Sequence, residues 1–118
     1  MSKSIIQSKT GKYERECFIC RIKAEREGYY GELPHTGLHK HHFMHGSWGR
    51  KKAEHFGLWA YVCEARHHEH GPEAPHSNAK VDMALKQIAQ RTFEETHTRE
   101  EWMENFGKNY LGGELFWL

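Results

Sequence analysis

Three cysteines and a surplus of histidines constrain this chain more than any hydrophobic pattern does. Cys17 and Cys20 form a C-x-x-C pair and Cys63 ends an apolar run; imidazoles gather at His39, His41 and His42, at His67 and His68, and at His76. An odd cysteine count cannot pair off completely, and a C-x-x-C in a small histidine-rich chain reads as a zinc half-site more readily than as a disulfide. A secreted disulfide scaffold would usually carry an even count. With 118 residues, 37% of them hydrophobic, the chain has material for one domain with a thin core, the situation in which small folds use a metal staple. The soft and borderline donors exceed what one tetrahedral zinc ion can use. Two metal sites are therefore expected, one structural and one chemical.

Structural zinc takes four ligands, commonly as two short-spaced pairs from separate turns. Cys17 and Cys20 are the first pair, and Cys63 with His67 is the best available second. That second spacing is loose, because Arg66 holds the place a tighter knuckle would give its ligand. His41, His42, His68 and His76 remain as a second constellation, with His39, His45, His55 and His70 as bystanders or reserves. A divalent ion held by imidazoles with open positions can bind a phosphate oxygen and stabilise the charge of a pentavalent phosphorus. A separate neutral histidine can take the proton of an attacking water, since its pKa lies near operating pH. An isolated histidine is more often a plain surface residue, and with 11 in the chain some are that.

Charge points the same way. Residues 1–66 hold 12 Lys/Arg against 7 Asp/Glu, a net +5, whereas residues 67–118 hold 5 against 9, a net −4, together the chain's +1. The positive half carries His41, His42 and Arg50, which favours an anionic partner such as a polyphosphate backbone. Arg50 is the candidate phosphate clamp, because a guanidinium meets phosphate as a bidentate fork. Lys51 and Lys52 would add sequence-independent attraction; a solvated basic turn explains each lysine equally well. No signal-peptide core or membrane-length apolar run is visible, so a soluble, cytoplasmic protein without membrane contact is expected.

Residues 1–16 lack a period and read as an N-terminal arm. Arg21 to His35 reads as a charged loop punctuated by Gly28, Gly31 and Pro34. A strand is expected from about Thr36 to Phe43, with Leu38, Lys40 and His42 on one face and His39, His41 and Phe43 on the other. Gly46 to Gly49 reads as a loop and Arg50 to Phe56 as a short helix stopped by Gly57. Leu58 to Val62 is the most strand-like run and leads into Cys63. Val81, Leu85, Ile88, Ala89 and Phe93 recur at three- and four-residue spacing, which predicts an amphipathic helix over 79–96 capped by Ser77 or Asn78. Thr98 to Glu101 is a capping-box pattern opening a second helix that buries Trp102, Met103 and Phe106 before Gly107. The apolar tail Leu115 to Leu118 is expected either to dock on the core or to meet another subunit.

The His41-His42 pair on a strand, followed by a loop, a second strand and Cys63 to His68 opening onto a helix, resembles the HNH nucleases with their ββα-metal motif and C-x-x-C zinc frame. More closely, residues 17–111 resemble small phage-encoded HNH-like proteins related to phage recombination-enhancement nucleases. The resemblance rests on Leu38 to Phe43, Arg50 to Lys52, Gly57 to Trp59, Cys63 with His67 and His68, and Leu85 to Arg91. It implies an α+β fold: a small zinc-stapled ββα-metal (HNH, or His-Me finger) core over 17–78, with a helical extension over 79–118. It also implies a metal-dependent DNA endonuclease linked to recombination or processing, acting in a bacterial host cell. Carried onto this chain, His41 becomes a ligand of the catalytic ion with His68 and His76, and His42 the general base. The expected cofactors are a structural Zn²⁺ and a catalytic Mg²⁺, Mn²⁺ or Zn²⁺; the expected partner is DNA, with RNA still open.

The chain departs from the pattern in three places. The motif asparagine has no counterpart, its place falling near Leu58; Gly49 precedes Arg50 where asparagine is more typical; and His70 to His76 is long and polar. The rival reading is a non-catalytic, zinc-stabilised nucleic-acid-binding accessory protein, and a further one is a purely structural zinc protein docking through its apolar tail.

Overall fold

The two short runs richest in branched, aromatic and histidine side chains pair with each other. In the computed structural model, which describes residues 3–7, 15–64, 75 and 78–116, β1 (Leu38–His42) and β2 (Trp59–Cys63) form an antiparallel two-stranded sheet. The register sets Leu38 opposite Cys63 and His42 opposite Trp59. Among the described residues four helices accompany it: α1 (Phe18–Arg26), α2 (Gly46–Phe56), α3 (Ala79–Phe93) and α4 (Arg99–Phe106). Among the described residues the chain is thus a small α+β fold.

The connection between the strands is a helix rather than a hairpin turn. α2 begins at Gly46, four residues before the start expected from sequence, so Ser47, Trp48 and Gly49 are helical and not loop. It stops at Gly57, whose φ of 75° places it in the left-handed region open to glycine, with its N–H returned to the Ala53 and Glu54 carbonyls. The ladder then continues: the Phe43 N–H donates to the Leu58 carbonyl at 3.1 Å. Leu58, which stands near the place of the motif asparagine, is fully buried.

Of the charged segment expected as a loop, Arg21 to Arg26 folds as the last part of α1, while residues 27–35 hold neither helix nor strand. The helix has no apolar stripe to announce it; Phe18 and Ile19 plug the core at one end. Arg21 is buried with Glu16 in a two-bond ion pair of 2.6 and 2.8 Å. Such a pair satisfies the guanidinium fork that burial would otherwise leave costly. Farther along, α3 ends at Phe93, short of Thr96, and is capped by Asn78, whose side chain accepts from the Lys80 and Val81 N–H groups. α4 carries the full capping box between Thr98 and Glu101. Trp102 is fully buried as expected, but Met103 is exposed.

The core is the meeting of Phe18 and Ile19 from α1, Phe43, Leu58, Ala60 and Val62 from the sheet region, Leu85, Ala89 and Phe93 from α3, and Trp102 from α4. Part of the N-terminal arm seals one side. Ile6 is fully buried, the Ser4 hydroxyl donates to the Trp59 carbonyl, and Gln7 accepts from the Tyr61 N–H at 2.9 Å. The C-terminal segment as far as Phe116 docks on α3: the Gln87 amide donates to the Tyr110 and Glu114 carbonyls and accepts from the Phe116 N–H at 2.9 Å. Of the tail Leu115 to Leu118, Phe116 is tied to α3 through its backbone N–H and Leu115 is exposed; Trp117 and Leu118 lie outside the described residues.

Candidate functional site

The sheet has two chemically different ends. At one, Cys63 leaves β2 opposite Leu38, and the N-terminus of α1 brings Cys17 and Cys20 to it. The three sulfurs lie within 4.8 Å of one another, with Cys20 Sγ and Cys63 Sγ 3.8 Å apart. A tetrahedron with Zn–S bonds of about 2.3 Å has edges of about 3.8 Å, which the Cys20–Cys63 separation matches. The local fold also aims a backbone donor at one of the sulfurs. Cys17 is the N-cap of α1 and its sulfur accepts the Cys20 N–H at 3.3 Å, at the positive end of the helix dipole. All three cysteines are free thiols rather than disulfide-bonded. This group could hold a metal ion such as zinc; His67, the expected fourth ligand, lies outside the described residues.

At the other end, four residues along the strand and so about 13 Å away, β1 presents adjacent histidines on opposite faces. His41 turns inward and is buried, its ring 5.8 Å from Phe43 and 5.7 Å from His45. His42 turns outward into a cleft of about 470 Å³ lined also by Ser47, Arg50, Lys51 and Glu54. Strand alternation alone produces that split. The cleft wall on α2 is built by residues 47, 50, 51 and 54, the three-, four- and seven-residue spacing of a single helix face.

Glu54 organises this cleft. Its Oε1 receives His42 Nε2 at 2.9 Å and Lys40 Nζ at 2.6 Å. Burial pushes the Glu54 carboxyl up, but the hydrogen bonds from Lys40 and His42 and their charges outweigh it, leaving it below the ordinary glutamate value and ionised. Lys40 is held on its other side over the Trp59 ring, 4.1 Å from the centroid. Neither Glu54 nor Lys40 stands out in the sequence, since a single carboxylate twelve residues from a histidine forms no motif. The usable signal was the polar i, i+3, i+4, i+7 face of α2, which required the helix to be started at Gly46.

Of the residues expected to act on phosphate, Arg50 and Lys51 reach the His42 cleft, whereas Lys52 does not line it. Its ammonium donates to the Asn105 carbonyl at 2.9 Å and lies 5.2 Å from the Trp48 ring centroid, on another flank of α2. His68 and His76, the expected companions of His41, lie outside the described residues. Near His41 the structure brings His45, which pairs with Asp82 in the first turn of α3 at 2.5 Å. Burial pushes Asp82 up, yet hydrogen bonds from His45 and Lys86 and their charges hold it below the usual aspartate value. Among the described residues, no helix is long and apolar enough to cross a membrane.

Comparison with protein-family models, with curated proteins and with solved structures finds no match for this chain.

Proposed function

We propose that the chain is a zinc-stapled, metal-dependent endonuclease of the HNH type that hydrolyses DNA phosphodiester bonds. The observation that carries this reading is the division of labour on β1: one histidine buried toward the side of α3, its neighbour open to a cleft with a guanidinium and an ionised carboxylate. In this reading Cys17, Cys20, Cys63 and His67 hold structural zinc, and His41, His68 and His76 hold the catalytic Mg²⁺, Mn²⁺ or Zn²⁺. The catalytic cation, when bound, supplies Lewis-acid stabilisation of the phosphorane charge and of the leaving 3′ oxygen.

The chain's own residues supply the rest. Glu54 accepts the Nε2–H of His42, so the imidazole, once its Nδ1 proton is gone, carries its lone pair on Nδ1. That nitrogen takes a proton from water as the water attacks phosphorus. Arg50 clamps the non-bridging phosphate oxygens and Lys51 raises the local concentration of the polyanion. The catalytic geometry is a polar α2 face opposite a strand histidine, and nothing in it reads base edges, so little sequence specificity is expected. A phage origin and a place in recombination follow from the family resemblance and belong to the same proposal.

The test is cleavage of supercoiled plasmid by the purified full chain in magnesium, manganese or zinc. His42→Ala is expected to lower turnover by about 10²- to 10⁴-fold, the usual contribution of general base catalysis. Full turnover in that variant removes the base assignment. The Glu54–His42 contact is compatible with a second reading, a nucleic-acid-binding accessory protein without turnover, in which Glu54 merely anchors the imidazole. Binding without cleavage under every one of those metals would establish it.

A further inference from the structure

Trp48 is the most exposed large apolar side chain among the described residues, 68% accessible, although it lies in the first turn of a packed helix. A single exposed indole is unremarkable by itself. Its surroundings are not. It borders a groove of about 220 Å³ whose other walls include Met44, Gly49, Lys86, Phe106 and Tyr110. Ammonium groups stand over the rings at both ends: Lys52 at 5.2 Å from the Trp48 centroid, and Lys86 and Lys108 at 5.7 and 5.5 Å from that of Tyr110. Lys52 is tethered by the Asn105 carbonyl and Lys86 by Asp82 at 2.9 Å, so the cations are positioned and not merely nearby.

Alternating aromatic faces and cations is the composition of surfaces that bind single-stranded nucleic acid, where bases stack on rings and phosphates follow the positive charge. A duplex keeps its bases stacked on one another and shows a protein mainly phosphates and groove edges. An indole standing out of α2 therefore gains little from a duplex and much from an unpaired base. Position on the helix links this groove to the cleft. Trp48 lies three residues from Lys51 and four from Lys52, within about 5–6 Å between Cβ atoms, while Ser47, Arg50 and Lys51 face His42. A strand crossing α2 can rest one base on Trp48 while a neighbouring phosphate meets Arg50.

We propose that the Trp48–Tyr110 groove is a stacking site for an unpaired nucleobase, and that the substrate of the adjoining cleft is single-stranded DNA in preference to duplex. The choice of substrate rests on the nuclease reading; the binding step is tested apart from it. The full-length, zinc-loaded protein is titrated into a fluorescently labelled oligothymidylate and, separately, into a labelled duplex of equal length, without magnesium or manganese, with anisotropy as the readout.

The wild type is expected to bind the single strand at least about tenfold more tightly than the duplex. Trp48→Ala should lose about tenfold on the single strand and leave duplex binding unchanged, while Trp48→Phe keeps single-strand affinity within about threefold of wild type. Equal affinity for the two DNAs, or a Trp48→Ala protein that binds the single strand as the wild type does, overturns the proposal. The two readings fail separately. Single-strand binding that depends on Trp48 in a protein that cleaves nothing supports the groove and sinks the nuclease; cleavage of both DNAs without regard to Trp48 sinks the groove and spares the nuclease.

Discussion

At the scale of single residues, what could be read in advance was whatever depends on spacing along the chain. Cys17, Cys20 and Cys63 converge because a C-x-x-C at a helix start and a cysteine at a strand end are local patterns with a known use. The divergence of His41 and His42 follows from strand alternation alone. The roles of Glu54, Lys40 and Asp82 were not legible, although Lys40 was placed on the His42 face and Asp82 in the first turn of its helix, because each takes its role from a partner on another element. Asp82 yields a prediction with a definite sign. Its folded-state pKa is depressed, by hydrogen bonds and charge from His45 and Lys86 that outweigh burial. Its contribution to stability is therefore present above the unfolded aspartate value of about 3.9 and is lost as pH falls through the lower folded value. Chemical denaturation across pH should show Asp82→Asn less stable than wild type at neutral pH, with the difference closing below about pH 4. A gap that stays constant down to acid pH would mean the pair with His45 and Lys86 does not hold the carboxylate in its charged form.

At the scale of elements, amphipathic period and capping chemistry found α3 and α4, and strand alternation and the aromatic, branched run before Cys63 found β1 and β2, while α1 and the start of α2 were missed for separate reasons. α1 has no stripe: it is nucleated by the Cys17 cap and anchored by Phe18, Ile19 and the buried Glu16–Arg21 pair, none of which makes a 3.6-residue pattern. α2 opens with Gly46, Ser47 and Gly49, residues that read as loop, and buries only Ala53 fully, so tertiary context overrides weak propensity. Its end was legible because Gly57 is required there. With φ at 75°, a side chain at 57 would be strained by backbone conformation, and its Cβ would collide with the Lys3 carbonyl oxygen. Gly57→Ala is therefore expected to cost about 2 kcal/mol or more, from the left-handed penalty plus displacement of the N-terminal arm. Thermal unfolding should shift downward by roughly 8 °C, and amide exchange should quicken at Ile5, whose N–H donates to the Gly57 carbonyl at 3.0 Å. An unchanged midpoint would show that the arm does not pack against the turn between α2 and β2.

At the scale of the whole molecule, the question is what closes a core drawn from a chain that is 37% hydrophobic. The aromatic knot of Phe56, Phe93, Trp102 and Phe106 binds the helical half to itself, with Phe56 and Phe93 centroids 5.1 Å apart and Phe93 and Trp102 5.4 Å apart. Where the start of α1 meets the end of β2, the three sulfurs stand together, two at the helix start and one on the strand. A metal ion at that junction would join cysteines more than forty positions apart in the chain, so its binding free energy would become folding free energy. The purified protein should then carry one tightly held zinc per chain by elemental analysis. Exchange for cobalt should produce the near-ultraviolet absorption of thiolate-to-metal charge transfer, weakened by Cys63→Ser. A strong chelator should lower the thermal midpoint steeply, and Cys63→Ser should start from the lowered value and respond little to chelation. Trp48→Ala, a change on an exposed ring of α2, which carries none of the three sulfurs, should keep both the metal and the wild-type midpoint. A metal-free protein whose stability is indifferent to chelator and to Cys63→Ser would show that the thiols pack as small apolar side chains and that the junction of α1 with β2 holds without a staple.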